Sequence, residues 1–165
     1  MNARTYSYAT WHDRLLAYLI DQLGVLLVGT FATAMLVMVG IIHVAGTAEE
    51  PVIDQSATLV VFLALAAYHV ISTGGRWQAT PGQRVMAIHV VRVDGKRLMH
   101  AQALERFLAY VLPMMPIYTS FLPEQSAKVL VVWLTIFWFA PILFTPERMG
   151  MHDRLCRTRV VAGRV

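Results

Sequence analysis

The sequence predicts an all-α membrane protein: a four-helix transmembrane bundle with a small cytoplasmic β-hairpin between helices two and three. Three observations carry that prediction. The 165 residues are 57% hydrophobic and only 15% charged, and the mean hydropathy is +0.55, outside the composition of ordinary soluble domains. Apolar segments of helical length occupy residues 15–44, 57–73, 101–122 and 129–144. Lys and Arg are distributed unevenly among the connections between them.

The first segment, which opens RLLAYLIDQLGVLLVGTF, exceeds the ~20 residues that cross a bilayer and is far longer than the ~7 to 15 apolar residues of a signal peptide. It is read as an uncleaved span. The loop that follows carries Glu49, Glu50 and Asp54 without Lys or Arg, whereas residues 74–106 carry Arg76, Arg84, Arg92, Lys96, Arg97 and Arg106. Lys and Arg counts set orientation, so the acidic loop is expected outside and the basic stretch in the cytoplasm. The basic tail, with Arg148, Arg154, Arg157, Arg159 and Arg164, agrees. Both termini are therefore expected inside, in a single domain over residues 1–165. The third segment contains Glu105, Arg106, Pro113 and Pro116, which favour kinking or an in-plane course, so three spans are the alternative.

Between the second and third segments the pattern changes. Thr80-Pro81 is an N-cap followed by a first-turn proline. VMAIHVVRV is β-branched, and Asp94-Gly95 is the dipeptide of a two-residue hairpin turn. Residues 86–93 are expected to pair with 96–99, and TRVVA at 158–162 to add a third strand.

A formal charge of +4 spread among the connections, with no basic stripe on a soluble domain, argues against nucleic acid as a partner. A single cysteine, Cys156, excludes an intrachain disulfide and a Cys-based metal cluster. TPGQR lacks the G-K-[ST] ending of a phosphate loop, and the chain contains no HExxH, dinucleotide fingerprint or nucleophile–base motif. Neither an enzyme, a cofactor nor a metal is expected.

RLLAYLID with Arg14 and Asp21, TPGQRVMAIHVVRVDGKRL, ALERFLAYVLP and GMHDRLCRTRVV with Asp153, in that order, resemble the RDD family of bacterial membrane proteins, named for one arginine and two aspartates. CRTRVV departs from the AGT that the family usually carries before its last strand. The resemblance implies a multi-pass inner-membrane protein with Arg14, Asp21 and Asp153 as its motif. It also implies transport, with cation/proton antiport for some members of the family.

Asp21 is the residue most out of place, because a charge near the bilayer centre costs roughly 2.5 to 3.5 kcal/mol on insertion scales. Arg14 lies two helical turns away and leans toward the helix N-terminus, so Asp21 needs a partner from another helix. Depth counted from the cytoplasmic ends places Asp21, Arg106 and His69 in one layer, with Arg106 as the expected counter-ion. That layer either serves as an ion or proton site or only locks helices together, the second reading carrying about twice the weight. Asp153 is expected where water reaches it, either as a gate or ion relay with Arg14 or, the reading given more weight, as a helix cap or an interfacial salt bridge holding the tail against helix one. The function expected first is a small transporter or antiporter component for monovalent cations, protons or another small solute. The alternative is a non-transporting scaffold or assembly subunit acting through its cytoplasmic face. The partners expected are the lipid bilayer and a second copy or another membrane protein.

Overall fold

The computed structural model describes residues 7–40, 44–46, 51–53, 55–118 and 122–163. The acidic residues Glu49, Glu50 and Asp54 and His43 lie outside the described residues. Helix α1 runs over Trp11–Met38, four residues earlier than the apolar pattern suggested, because Thr10 starts it with a capping box. The Asp13 backbone N–H donates to Thr10 Oγ1 at 3.1 Å, and the Thr10 N–H donates to Asp13 Oδ2 at 3.0 Å. A short ribbon, β1 (Val44–Gly46) with β2 (Pro51–Ile53), leads to α2 (Gln55–Gly74).

Helix α4 (His100–Val111) is regular for only 12 residues and buries one stripe, Ala103 and Phe107. It passes into a 3₁₀ segment over Leu112–Tyr118, where Pro113 and Pro116 cannot donate to an α-helical ladder. Helix α5 (Glu124–Phe139) is followed by α6 (Pro141–Phe144). Two helical stretches are long and apolar enough to cross a membrane, Trp11–Met38 and Glu124–Phe144, and α2 adds a shorter apolar stretch over Leu59–Gly74. α2 packs along α4, whereas Leu26, Leu27, Val28 and Phe31 of α1 are exposed.

The polar end of the molecule is a platform made of α3 (Pro81–Val85), β3 (Ile88–Arg92), α7 (Met151–Leu155) and β4 (Thr158–Ala162). TRVVA is a strand, as the sequence indicated, but β3 pairs with it directly and antiparallel, Val90 opposite Val160. The predicted hairpin of 86–93 with 96–99 does not form. Asp94-Gly95 makes its turn, with the Arg92 N–H bonded to the Lys96 carbonyl at 3.0 Å. The chain then leaves the strand direction because the Leu98 backbone is taken by the side chain of Gln78, whose Oε1 accepts from Leu98 N at 3.0 Å and whose Nε2 donates to Leu98 O at 3.1 Å. The other edge of β4 is covered by the N-terminal segment, through Ala9 N to Val160 O at 3.2 Å and Ala162 N to Ser7 O at 2.8 Å. Ala9, Ala17, Ile88, Val90, Leu98 and Val160 form the buried core under this sheet.

The platform is an internal duplication. Gln78 has φ 49°, Thr80 caps the five-residue α3, Met86 ends it, Ala87 has φ 51° and the five-residue β3 follows. Each feature recurs 70 residues later: Arg148 with φ 50°, Gly150, α7, Cys156, Arg157 with φ 50°, and β4. In both units the third helical residue turns back to the cap, the Gln83 side chain accepting from Thr80 N and Asp153 from Gly150 N. Because the pairing is antiparallel and centred on Val90–Val160, a pseudo-two-fold axis passes through the strand pair. α1 packs on α3 as α4 packs on α7.

Candidate functional site

Two carboxylates hold the platform to the helices. Asp153, on α7, is completely buried. Its Oδ2 accepts from Arg14 Nη1 of α1 at 2.8 Å and from the backbone N–H of Gly150 at 3.2 Å. Its Oδ1 accepts from Arg106 Nη1 of α4, which also bonds the Thr158 hydroxyl at the start of β4. Arg14 reaches on toward the Val160 carbonyl with Nη2. One carboxylate therefore joins α1, α4, α7 and the last strand. Burial alone would raise the Asp153 carboxyl, but the flanking Arg106 and Arg14 charges outweigh it and hold the group well below the usual carboxylate range.

Asp21 lies 10 residues into α1 and is 8% exposed. Its Oδ1 accepts from the Tyr68 hydroxyl of α2 at 2.7 Å and from the Gly82 N–H at 2.7 Å, and its Oδ2 accepts from the Thr80 hydroxyl at 2.5 Å. The residue at 82 must be glycine for this docking, since a Cβ there would stand 2.1 Å from the Ala17 carbonyl oxygen and 2.8 Å from Asp21 Cγ. With three donors the carboxylate is satisfied without a counter-ion.

The expected pairing of Asp21 with Arg106 is therefore not formed; Arg106 pairs with Asp153. Counting depth along each helix treated the helix starts as level, whereas α3 folds back beside α1 and brings its own donors to Asp21. Asp153 is a cap and a salt bridge to helix one, as expected, but it is buried and not water-exposed. His69 sits next to Tyr68 with its ring 5.5 Å from Phe107 and 6.1 Å from Tyr110. His152 packs on Tyr110 and Phe139 at 5.6 and 5.2 Å, while His12 stacks on Trp11. Burial pushes the His152 imidazole down to about 4, so it is neutral at pH 7. Among the described residues there is no cluster of His, Cys, Asp and Glu that could hold a metal ion.

The arginine and the two aspartates are thus the joints of the fold: Arg14 meets Asp153 across 139 residues, and Asp21 docks the TPG turn. The model of the RDD family matches residues 8–157, which contain all three. The chain belongs to the RDD family. A relative of this RDD protein is the uncharacterized protein YxaI of Bacillus subtilis (strain 168), 26% identical over 162 residues, covering 90% of the chain and 93% of that protein. No solved structure matches it. Family membership and the two long apolar helices make it a membrane protein.

Sequence reasoning missed Tyr68, Thr80, Gly82, Gln78 and Thr158 as site residues. Thr80 and Gly82 had a signal in TPG, a capped turn followed at once by a residue without Cβ, which marks a close backbone approach. Tyr68, Gln78 and Thr158 had none, because nothing local distinguishes a buried polar side chain from a solvated one.

Proposed function

We propose that this RDD protein is a non-transporting, non-enzymatic scaffold of the inner membrane. It would have four spans and both termini in the cytoplasm, and would offer its strand-pair platform to a membrane-protein partner or to a second copy. The observation that carries this reading is that Asp21 and Asp153 are both saturated by internal donors. A carboxylate that exchanges protons or cations must give up its ligands in each cycle, and here those ligands are the contacts that join α1, α2, α4 and the platform. Lys and Arg asymmetry supports the orientation.

A second reading, a cation or proton transporter, is favoured by one feature: the rings of His69, Tyr110 and His152 form a row of titratable groups, the first adjoining Tyr68, which bonds Asp21, and the last adjoining Asp153. The two readings separate in proteoliposomes loaded with a pH-sensitive dye. The scaffold reading expects no gradient-driven proton or monovalent-cation flux from wild type or from Asp21→Asn. Flux in the wild type that Asp21→Asn abolishes would replace it with transport.

A further inference from the structure

Helix α1 has 28 residues and is ~42 Å long at 1.5 Å per residue, ~12 Å more than the hydrocarbon core. That excess is about eight residues. If the capped end carries it, Trp11–Tyr18 lie in the headgroup region and the hydrocarbon begins near Leu19. The contacts of Gly82 with Ala17 and Asp21 then fix α3 at the boundary itself. The duplication sets α7 against α4 in the corresponding place. At equivalent positions the two short helices present the same exposed pair, an arginine followed by an aliphatic residue: Arg84 with Val85, and Arg154 with Leu155. Among the described residues neither guanidinium forms a salt bridge, unlike those of Arg14 and Arg106.

The first of these arginines is set in a built seat. The Arg84 guanidinium lies 4.2 Å from the centre of the Trp77 ring, which holds it by a cation–π contact at one face and leaves its N–H edge available. A cavity of about 70 Å³ opens between Trp77, Arg84, His89 and Gly163, room for one tetrahedral anion. Half-exposed Trp77 is the amphipathic ring that favours this depth. The surrounding chain is predominantly basic: residues 74–99 hold five basic side chains and one acidic, and residues 145–165 five and two, the two being the buried, neutralised Asp153 and Glu147. Glu147 stands where the first unit has Trp77, so the aromatic seat belongs to the first unit and only the arginine–aliphatic pair is repeated in the second.

We propose that α3 and α7 form a pair of docking sites for the phosphate headgroups of anionic phospholipids. The Trp77–Arg84 cavity is the principal seat and Arg154 its pseudo-symmetric counterpart, with Val85 and Leu155 dipping toward the acyl chains. The lipid source is favoured over a free phosphate because both sites pair the cation with an exposed aliphatic residue at headgroup depth, which a soluble anion would not need. The platform would then be seated on the leaflet surface, with its strand pair facing the aqueous side.

The test is lipid retention by the full-length protein in detergent, titrated with phosphatidylglycerol or phosphatidylcholine and read by native mass spectrometry. Wild type is expected to retain phosphatidylglycerol over phosphatidylcholine, with a roughly fivefold loss of affinity in Arg84→Gln and in Arg154→Gln, and the product of the two in the double variant. Arg84→Lys, which keeps the charge and loses the planar fork, is expected to fall between wild type and Arg84→Gln. Each variant is checked for an unchanged melting temperature, since neither arginine belongs to the Asp21 or Asp153 contacts. Equal retention of the two lipids, or no effect of either Gln variant, overturns the proposal. Displacement of phosphatidylglycerol by millimolar inorganic phosphate overturns the assignment to lipid.

Discussion

Replacing Asp153 by Asn removes one charge while keeping shape, and it isolates what the buried carboxylate does. Arg14 and Arg106, each with a side chain only 11% exposed, both lose their counter-ion. The amide can still accept through one oxygen, but its NH₂ then confronts a guanidinium or the Gly150 N–H, donor against donor. Breaking a buried ion pair by removing one partner costs about 3 to 5 kcal/mol. At ~2 to 4 °C per kcal/mol for a chain of this size, the melting temperature should fall by roughly 10 °C. Asp21→Asn should be milder, because its three donors are a hydroxyl, a hydroxyl and one backbone N–H, none of them charged, and the hydroxyls can rotate to accept. Thermal unfolding in detergent micelles, with all variants at equal concentration, measures the difference. A further comparison sharpens it: Arg106→Met added to Asp153→Asn should cost less than the sum of the two single changes, since the second removes a charge already stranded. If Asp153→Asn melts within 2 °C of wild type, or Asp21→Asn is the more damaging, the account of Asp153 as the central joint is wrong.

Gly82→Ala should lose most folded protein, since its Cβ would meet the Ala17 carbonyl oxygen at 2.1 Å, whereas Gly29→Ala, with nothing within 4 Å, should express and melt like wild type; fluorescence-detected size exclusion distinguishes them. The His152 imidazole, held at about 4 by burial, stays neutral in the fold while the unfolded ring takes a proton below ~6.5. The unfolded state then binds more protons, so stability should fall as pH drops from about 6.5 to 4, by up to about 3 kcal/mol, and His152→Phe should flatten that slope in melts taken across the window. Reporter fusions after Arg97 and after Val165 should read cytoplasmic and an insertion at Glu50 periplasmic; a cytoplasmic reading at residues 123–127 would mean that the third segment does not span, and three spans would replace four.

The sequence by itself determined where the apolar helices lie, that the third is interrupted at Pro113 and Pro116, that Thr80-Pro81 starts a short helix and that TRVVA is a strand. These are local matters: periodicity, caps and imino acids act within a few residues, and the folded chain follows them. It also exposed Arg14, Asp21 and Asp153 as residues that need a reason to be where they are. The partners were decided only in three dimensions. Asp94-Gly95 carries a hairpin signal, yet β3 takes its neighbour from 70 residues away, because Gln78 captures the backbone at Leu98 and because β4, already edged by Ser7–Ala9, offers Val160 to Val90. Arg106 chose Asp153 over Asp21 for a related reason. The TPG turn fills the space around Asp21 with uncharged donors, so the guanidinium goes to the carboxylate that lies buried beside Arg14. A charge in a poorly solvated place takes whichever partner the packing brings within about 3 Å, and that packing is set by close approaches such as Gly82 on Ala17, which no count of residues along a helix contains.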